Sequence, residues 1–272
     1  MHSPPANPQT RRRIALVRRP APALAERCEL TFLERSAIDF ARLERQHAGY
    51  RAALADAGAE VVTLDAIDAL PDSVFVEDAA VVLDGFAVLT RPGAASREAE
   101  PEAIASALAP WRPLQRIEAP GTLDGGDVLR IGRRLFVGLT TRSNRDGIAR
   151  LAALAEPLGY SVTPVPVPGS LHLKTACTAL DDDTLLLNPA WLDPAAFADF
   201  RVLTVDADEP FAANVLPIGD ARIISAAFPR TRERVEAFCA ATGVRAIATD
   251  ISEFGKAEAG LTCLSVVFDA TA

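Results

Sequence analysis

The chain has little of what several common binding classes require. Only four of its 272 residues are cysteine, at positions 28, 177, 239 and 263, none in a C-x-x-C spacing, and only three are histidine. That pattern supplies neither a zinc ligand set nor a disulfide framework, and it fits a reducing cytosol. Basic residues are outnumbered: 28 Lys and Arg stand against 36 Asp and Glu, for a formal net charge of −8. A nucleic-acid binder would carry a basic stripe, so that class is excluded, and the acidic balance suits a cationic ligand. Long apolar runs are missing too. Arg11-Arg12-Arg13 has the look of a signal peptide's basic start, but the run after it, Ile14 to Val17, is only a strand's length. A signal needs about twice that, and a membrane span needs about 20 apolar residues. Residues 1–12 are therefore expected to be a disordered tail and 13–272 a single domain, with a small-molecule partner and no cofactor, metal, nucleic acid or membrane. A monomer and a homodimer both fit.

What is present is a repeat. After a strand over Ile14 to Arg18, two prolines (Pro20, Pro22) start a non-helical excursion to about Ser36, long enough for a binding loop or lid. Phe40, Leu43, His47, Tyr50 and Leu54 then recur at helical spacing, which predicts an amphipathic helix over 39–57 with His47 as a packed residue rather than a catalyst. From there a strand, a loop, a hairpin and a helix follow one another repeatedly. Asp84-Gly85, Gly132-Arg133, Asp181-Asp182-Asp183 and Gly219-Asp220 mark the hairpin turns. Helices are expected over about 97–108, after a Ser143/Asp146 capping-box-like pair, and over 231–241.

The fifth unit supplies one hairpin strand, Leu264 to Phe268, and its missing partners exist at the N-terminal end as the first strand and the 39–57 helix. Units of about 40–50 residues imply stacking or radial arrangement, and a split unit implies closure of the ring by the first and last strands. A sandwich of βαβ pieces is the alternative.

The repeat collects the polar residues. Glu77 and Asp78, Asp124 and Asp127, His172, Asn214 and Cys263 each stand at the entrance to the first hairpin strand of their unit, while Arg97 and Arg142 fall between hairpin and helix. Rotation about one axis would bring these loops together. Taken singly, each has a plainer account: Asp-Gly-Gly-Asp is ordinary turn composition, a lone Cys is usually a small buried hydrophobe, and His172 sits in a Leu-His-Leu alternation. Together they form a chemistry. A thiol needs its thiolate form and a nearby acid/base, a part that His suits near neutral pH. Carboxylates around a thiol raise its pKa unless the substrate is itself a cation. A guanidinium resolves the conflict, because its planar N–H fork matches paired carboxylates and its charge favours the thiolate.

Pro71-Asp-Ser-Val-Phe-Val-Glu-Asp78, Leu89-Thr-Arg-Pro-Gly93 with Ser96-Arg97, Ala119-Pro-Gly-Thr-Leu-Asp-Gly-Gly-Asp127, Arg142-Ser-Asn144, Leu171-His-Leu-Lys174, Ala212-Ala-Asn214 and Leu261-Thr-Cys263 resemble the dimethylarginine dimethylaminohydrolases, within the guanidino-group-modifying (pentein) superfamily. The resemblance spans residues 14–268. It implies a five-bladed α/β propeller and hydrolysis of Nω-methylated arginine to citrulline and methylamine or dimethylamine. It also implies Cys263 as nucleophile, His172 as general acid/base and Asp124 as the carboxylate that orients the site. Asp78, with Glu77 beside it, would meet the guanidinium, Asp72 the α-amino group, and Arg97 and Arg142 the α-carboxylate. Leu30 would lie in the lid. Relatives commonly carry Val or Ile followed by Asp shortly before the cysteine, where this chain has Lys256-Ala257-Glu258-Ala259, so Ala257 would make a smaller pocket wall. Arginine deiminase, amidinotransferase and a silent arginine-binding protein are the competing readings.

Overall fold

The computed structural model describes residues 12–270. Of the tail expected over 1–12, all but Arg12 lies outside the described residues, and Arg12 is ion-paired to Glu60 at 2.7 Å.

Five three-stranded sheets organise the described chain, each an antiparallel pair extended by a parallel third strand. Four of them come from consecutive sequence, such as Ala80–Val82, Ala87–Leu89 and Leu114–Arg116. In the fifth, Arg13–Arg18 pairs antiparallel with Val266–Asp269 and parallel with Glu60–Leu64. The split unit is thus completed by the first and last strands, in the register Ile14↔Phe268 and Leu16↔Val266. An Arg13–Asp269 ion pair at 2.9 Å adds to that pairing.

The first strand shows why the core lies between the sheets. Successive side chains of a strand point to opposite faces. Ile14 and Leu16 enter one cluster, with Val76, Leu89, Ile104 and Phe268, whereas Ala15 and Val17 enter another, with Tyr50, Leu54 and Ile223. Leu185 and Leu187 part from Leu186 in the same way. Buried on both faces, these strands read as continuous apolar runs, and each large side chain so buried is worth ~1.5–3 kcal/mol.

The helix Phe40–Asp56 bears out the apolar spacing, with Asp39 as the cap accepting from the Arg42 amide at 3.0 Å. His47 is buried in it and held neutral, burial with nearby Arg51 and Arg19 lowering its pKa to about 4.

Other expectations need correction. The excursion after Pro20 is not wholly irregular, since Leu24–Arg27 forms a helical turn whose Leu24 is buried in the core. The helix expected from Arg97 starts at Glu100, Arg97 itself closing a separate turn over Ala95–Arg97. Asn144, not Ser143, caps the helix Arg145–Ala155, accepting from the Gly147 amide at 2.8 Å. Ser143 is diverted because its hydroxyl donates to buried Asp127 at 2.6 Å.

Helical turns precede three of the hairpins and the last strand: Val76–Ala79, Gly125–Asp127, Leu173–Ala176 and Thr262–Leu264. Of the residues read as strand entrances, all but Asn214 are therefore in, or immediately before, single helical turns. These turns carry the polar constellation.

Candidate active site

Asp124 is fully buried at the head of the Gly125–Asp127 turn, and its two oxygens do different work. Oδ1 accepts the Gly93 amide at 3.0 Å, and Oδ2 lies 3.0 Å from His172 Nε2. The other ring nitrogen of His172 faces Asp78 Oδ1 at 3.9 Å. Asp78 in turn accepts the Gly126 amide at 2.9 Å and is ion-paired to Arg97 at 2.7 Å. Glycine is required at 126, because a Cβ there would lie 2.7 Å from both Asp78 Oδ1 and His172 Nδ1. A second carboxylate of the same turn, Asp127, accepts the Leu173 amide at 2.9 Å and so fixes the start of the His172 turn.

These contacts set the charge state of the imidazole. Burial opposes protonation, but Asp78, Asp124 and Asp127 outweigh it and raise the His172 pKa to about 9. Asp78 moves the other way. Its burial would raise the carboxyl, yet His172, Arg97 and the Gly126 amide together hold it below the ordinary carboxylate range.

Cys263 sits in the Thr262–Leu264 turn, partly buried, its sulfur accepting from the Gly260 amide at 3.4 Å. Burial pushes its thiol pKa up, and the charges of Glu77 and Asp78 push it further. Glu77 is anchored beside it, accepting from Lys174 at 2.5 Å and from the Thr262 hydroxyl at 2.7 Å. Asn214 steadies the turn from another unit, accepting the Thr262 amide at 2.9 Å. The free protein thus presents a protonated imidazole and a thiol reluctant to ionise, among carboxylates. A cation arriving there would lower both pKa values.

The remaining expected residues lie around a strap over residues 29–33. Asp72 accepts the Glu29 amide at 3.0 Å, and burial raises its carboxyl pKa. Arg142 is buried; its Nη2 donates to the Thr31 hydroxyl at 2.8 Å, while Nη1 has no hydrogen-bond partner and lies 3.8 Å from Asp124. Leu30 and Cys263 both pack against the cluster that holds Ala257. Arg97 is placed differently from a free carboxylate binder. Its three guanidinium nitrogens are all engaged, by Glu100, by Asp78 and by the carbonyls of Asp72 and Phe75.

Asp78, Asp124 and His172 offer three ligand atoms within 4.8 Å of one another, the donor types that a divalent metal or a planar cation would take. Sequence reasoning overlooked Lys174, Thr262 and Glu258 as parts of the site. Thr262 and Lys174 were readable as neighbours of a thiol and an imidazole. Glu258 stood only in the segment read as a departure from relatives, and its reach to residues 31–33 had no signal in the sequence.

The chain is 43% identical to the N(G),N(G)-dimethylarginine dimethylaminohydrolase of Streptomyces coelicolor over 93% of its own length and 95% of that protein's. It belongs to the dimethylarginine dimethylaminohydrolase family. A second member of that name, from Pseudomonas aeruginosa, is 34% identical over 93% of this chain and 98% of its own. The solved structure of that enzyme, a Cys-to-Ser mutant complexed with citrulline, superposes with a TM-score of 0.88 over the same shares. The N-terminal domain of ArgZ, a cyanobacterial arginine dihydrolase, shares the fold at 19% identity, with a TM-score of 0.80 over 94% of this chain and 97% of that one. No family model matches the chain. Like its dimethylarginine dimethylaminohydrolase relatives it is α/β, and no helix among the described residues is long and apolar enough to cross a membrane.

Proposed function

We propose that this chain hydrolyses Nω-methylated arginine to citrulline and dimethylamine or methylamine, as its closely similar relatives are named for doing. The observation that carries the reading is the buried Asp124–His172–Asp78 group, one imidazole held between two carboxylates, with the Cys263 thiol close enough to feel the charge of Asp78. Its five sheets would be the blades of a ring closed by the first and last strands, a single catalytic domain over 13–272. Four unpaired cysteines suit a cytosolic setting.

The guanidinium docks against Asp78, with Glu77 and Asp124 nearby, and its charge lowers the Cys263 pKa. The thiolate attacks the central guanidinium carbon, forming the C–S bond. As the bond from that carbon to the methylated nitrogen breaks, protonated His172 gives its proton to the departing amine. A covalent thiouronium remains. Neutral His172 then takes a proton from water, the hydroxide attacks the same carbon, and cleavage of C–S returns its electron pair to sulfur. Asp124 keeps the imidazole oriented throughout, and the negative field that raises the His172 pKa also readies it as a base for the second step.

At the substrate's other end, Asp72 takes the α-amino group and the unpartnered Nη1 of Arg142 takes the α-carboxylate. Arg97 reaches that carboxylate only by releasing one of its protein partners, and otherwise acts by fixing Asp78. Leu30 covers the pocket and Ala257 forms a wall of it.

The test measures each amine released from arginine, monomethylarginine and dimethylarginine, alongside citrulline. Methylamines with equimolar citrulline are expected, and Cys263→Ser should form neither. Ammonia from arginine as the dominant product would replace this reading with a deiminase, and transfer to an added amine would replace it with an amidinotransferase.

A further inference from the structure

The strap over residues 29–33 is held to the body by three sets of polar contacts, besides a hydrogen bond from the Ser96 hydroxyl to the Glu29 carboxylate at 2.7 Å. Asp72 accepts the Glu29 amide, and Arg142 donates to the Thr31 hydroxyl. The third set is a single carboxylate. Glu258 accepts the consecutive backbone amides of Thr31, Phe32 and Leu33 at 2.5 to 3.1 Å. Three successive N–H groups turned onto one anion form a concave cradle, and hydrogen bonds to a charged acceptor are roughly twice as strong as neutral ones.

Glu258 is also the one non-glycine residue with positive φ among the described residues. Such a conformation is uncommon outside glycine, asparagine and aspartate, and it persists where the surroundings over-determine it. Here the turn after Ser252–Gly255 does so: the Glu258 amide donates to the Gly255 carbonyl at 3.1 Å and the Ala259 amide to the Phe254 carbonyl at 3.2 Å. The carboxylate is therefore mounted on a fixed turn, next to Ala257 and five residues before Cys263. The strap has little else at its tip, where Phe32 is 51% exposed.

Two of the three anchors, Asp72 and Arg142, are the residues given above to the substrate's amino and carboxylate groups. A substrate must compete with the strap for both. The Glu258 carboxylate makes its hydrogen bonds, among the described residues, with the strap alone. We propose that Glu258 is the latch of the strap: a positioning residue that keeps Leu30 over the pocket while Asp72 and Arg142 change partners from strap to substrate. The proposal rests on the site holding an α-amino acid, as argued above.

Amide hydrogen exchange of the full chain tests it, for wild type, Glu258→Gln and Glu258→Asn. Gln keeps the shape and removes the charge. Asn also removes it but tolerates positive φ, so it separates loss of the latch from backbone strain. Both variants should exchange the amides of residues 31–33 about tenfold faster or more, with protection elsewhere unchanged, and kcat/KM on dimethylarginine should fall about tenfold or more. Glu258→Asp should restore part of the protection. Unchanged strap exchange in both neutral variants overturns the latch. Faster strap exchange in a protein whose wild type releases no citrulline would instead overturn the catalytic reading and leave the latch standing.

Discussion

Thr262 donates its hydroxyl to the Glu77 carboxylate at 2.7 Å, and the thiol of the very next residue feels that charge. Glu77 is itself buried enough to have a raised pKa, and Lys174 with Thr262 offsets part of that rise. Replacing it with glutamine removes a negative neighbour of the sulfur and leaves the Lys174 cation without its partner. Both changes favour the thiolate. Glu77→Gln is expected to alkylate at Cys263 roughly tenfold faster at neutral pH, measured with iodoacetamide across a pH series. An unchanged profile would mean that the charge of Glu77 does not reach the sulfur.

Gly126 tests the imidazole's surroundings by size alone. Gly126→Ala would put a methyl group 2.7 Å from both Asp78 and His172, which the fully packed site can accept only by moving one of them. A misplacement of about 1 Å costs on the order of 10²-fold. Turnover should fall by that factor, while circular dichroism and thermal melting show a folded protein. Near-normal kcat would place the imidazole away from the reaction.

Arg142 carries a buried N–H with no hydrogen-bond partner, a state that normally costs stability unless a ligand completes it. Arg142→Gln should raise KM for dimethylarginine about 10- to 100-fold, with a smaller change in kcat, because a charge-assisted contact with the α-carboxylate is present in both ground and transition states. A substrate analogue lacking the α-carboxylate should show no such difference between wild type and variant.

His172 ties stability to pH. Its folded pKa of about 9 stands above the ordinary 6.5, so the proton it holds stabilises the folded state fully below about pH 6.5 and less and less as pH rises through 9. Comparison with His172→Gln isolates the effect. The difference in melting temperature between the two proteins should be constant on the acid side and shrink between pH 6.5 and 9, for a change on the order of 3 kcal/mol. A difference that stays flat over that range and instead changes below pH 6.5 would mean the imidazole is neutral in the folded protein.

Much of this was legible before any coordinates. The hairpin turns, the Phe40-to-Leu54 periodicity and the lone final strand each follow from local rules, and together they imply the five sheets. Cys263, His172 and the carboxylates could be grouped because the repeat placed them at equivalent positions. Asn144 and Ser143 were exchanged as caps because both residue types cap helices, and only the buried Asp127 decides which hydroxyl is taken elsewhere. The Leu24–Arg27 turn escaped notice since prolines on its N-terminal side break a pattern without forbidding a helix after them. The engagement of Arg97 depends on Glu100, three residues on, which reads in sequence as an exposed helix start and is in fact buried.

The pairing of Arg13–Arg18 with Val266–Asp269 also bears on how the molecule is made. Arg13 and Asp269 are separated by 256 positions, so the first strand emerges from the ribosome long before its antiparallel neighbour exists. At ~5–20 residues per second that interval is on the order of tens of seconds. Throughout it, a strand with Ile14, Leu16 and Val17 has one edge of hydrogen-bonding groups unfilled, and the nascent chain carries an open, sticky seam that Val266–Asp269 must come to close.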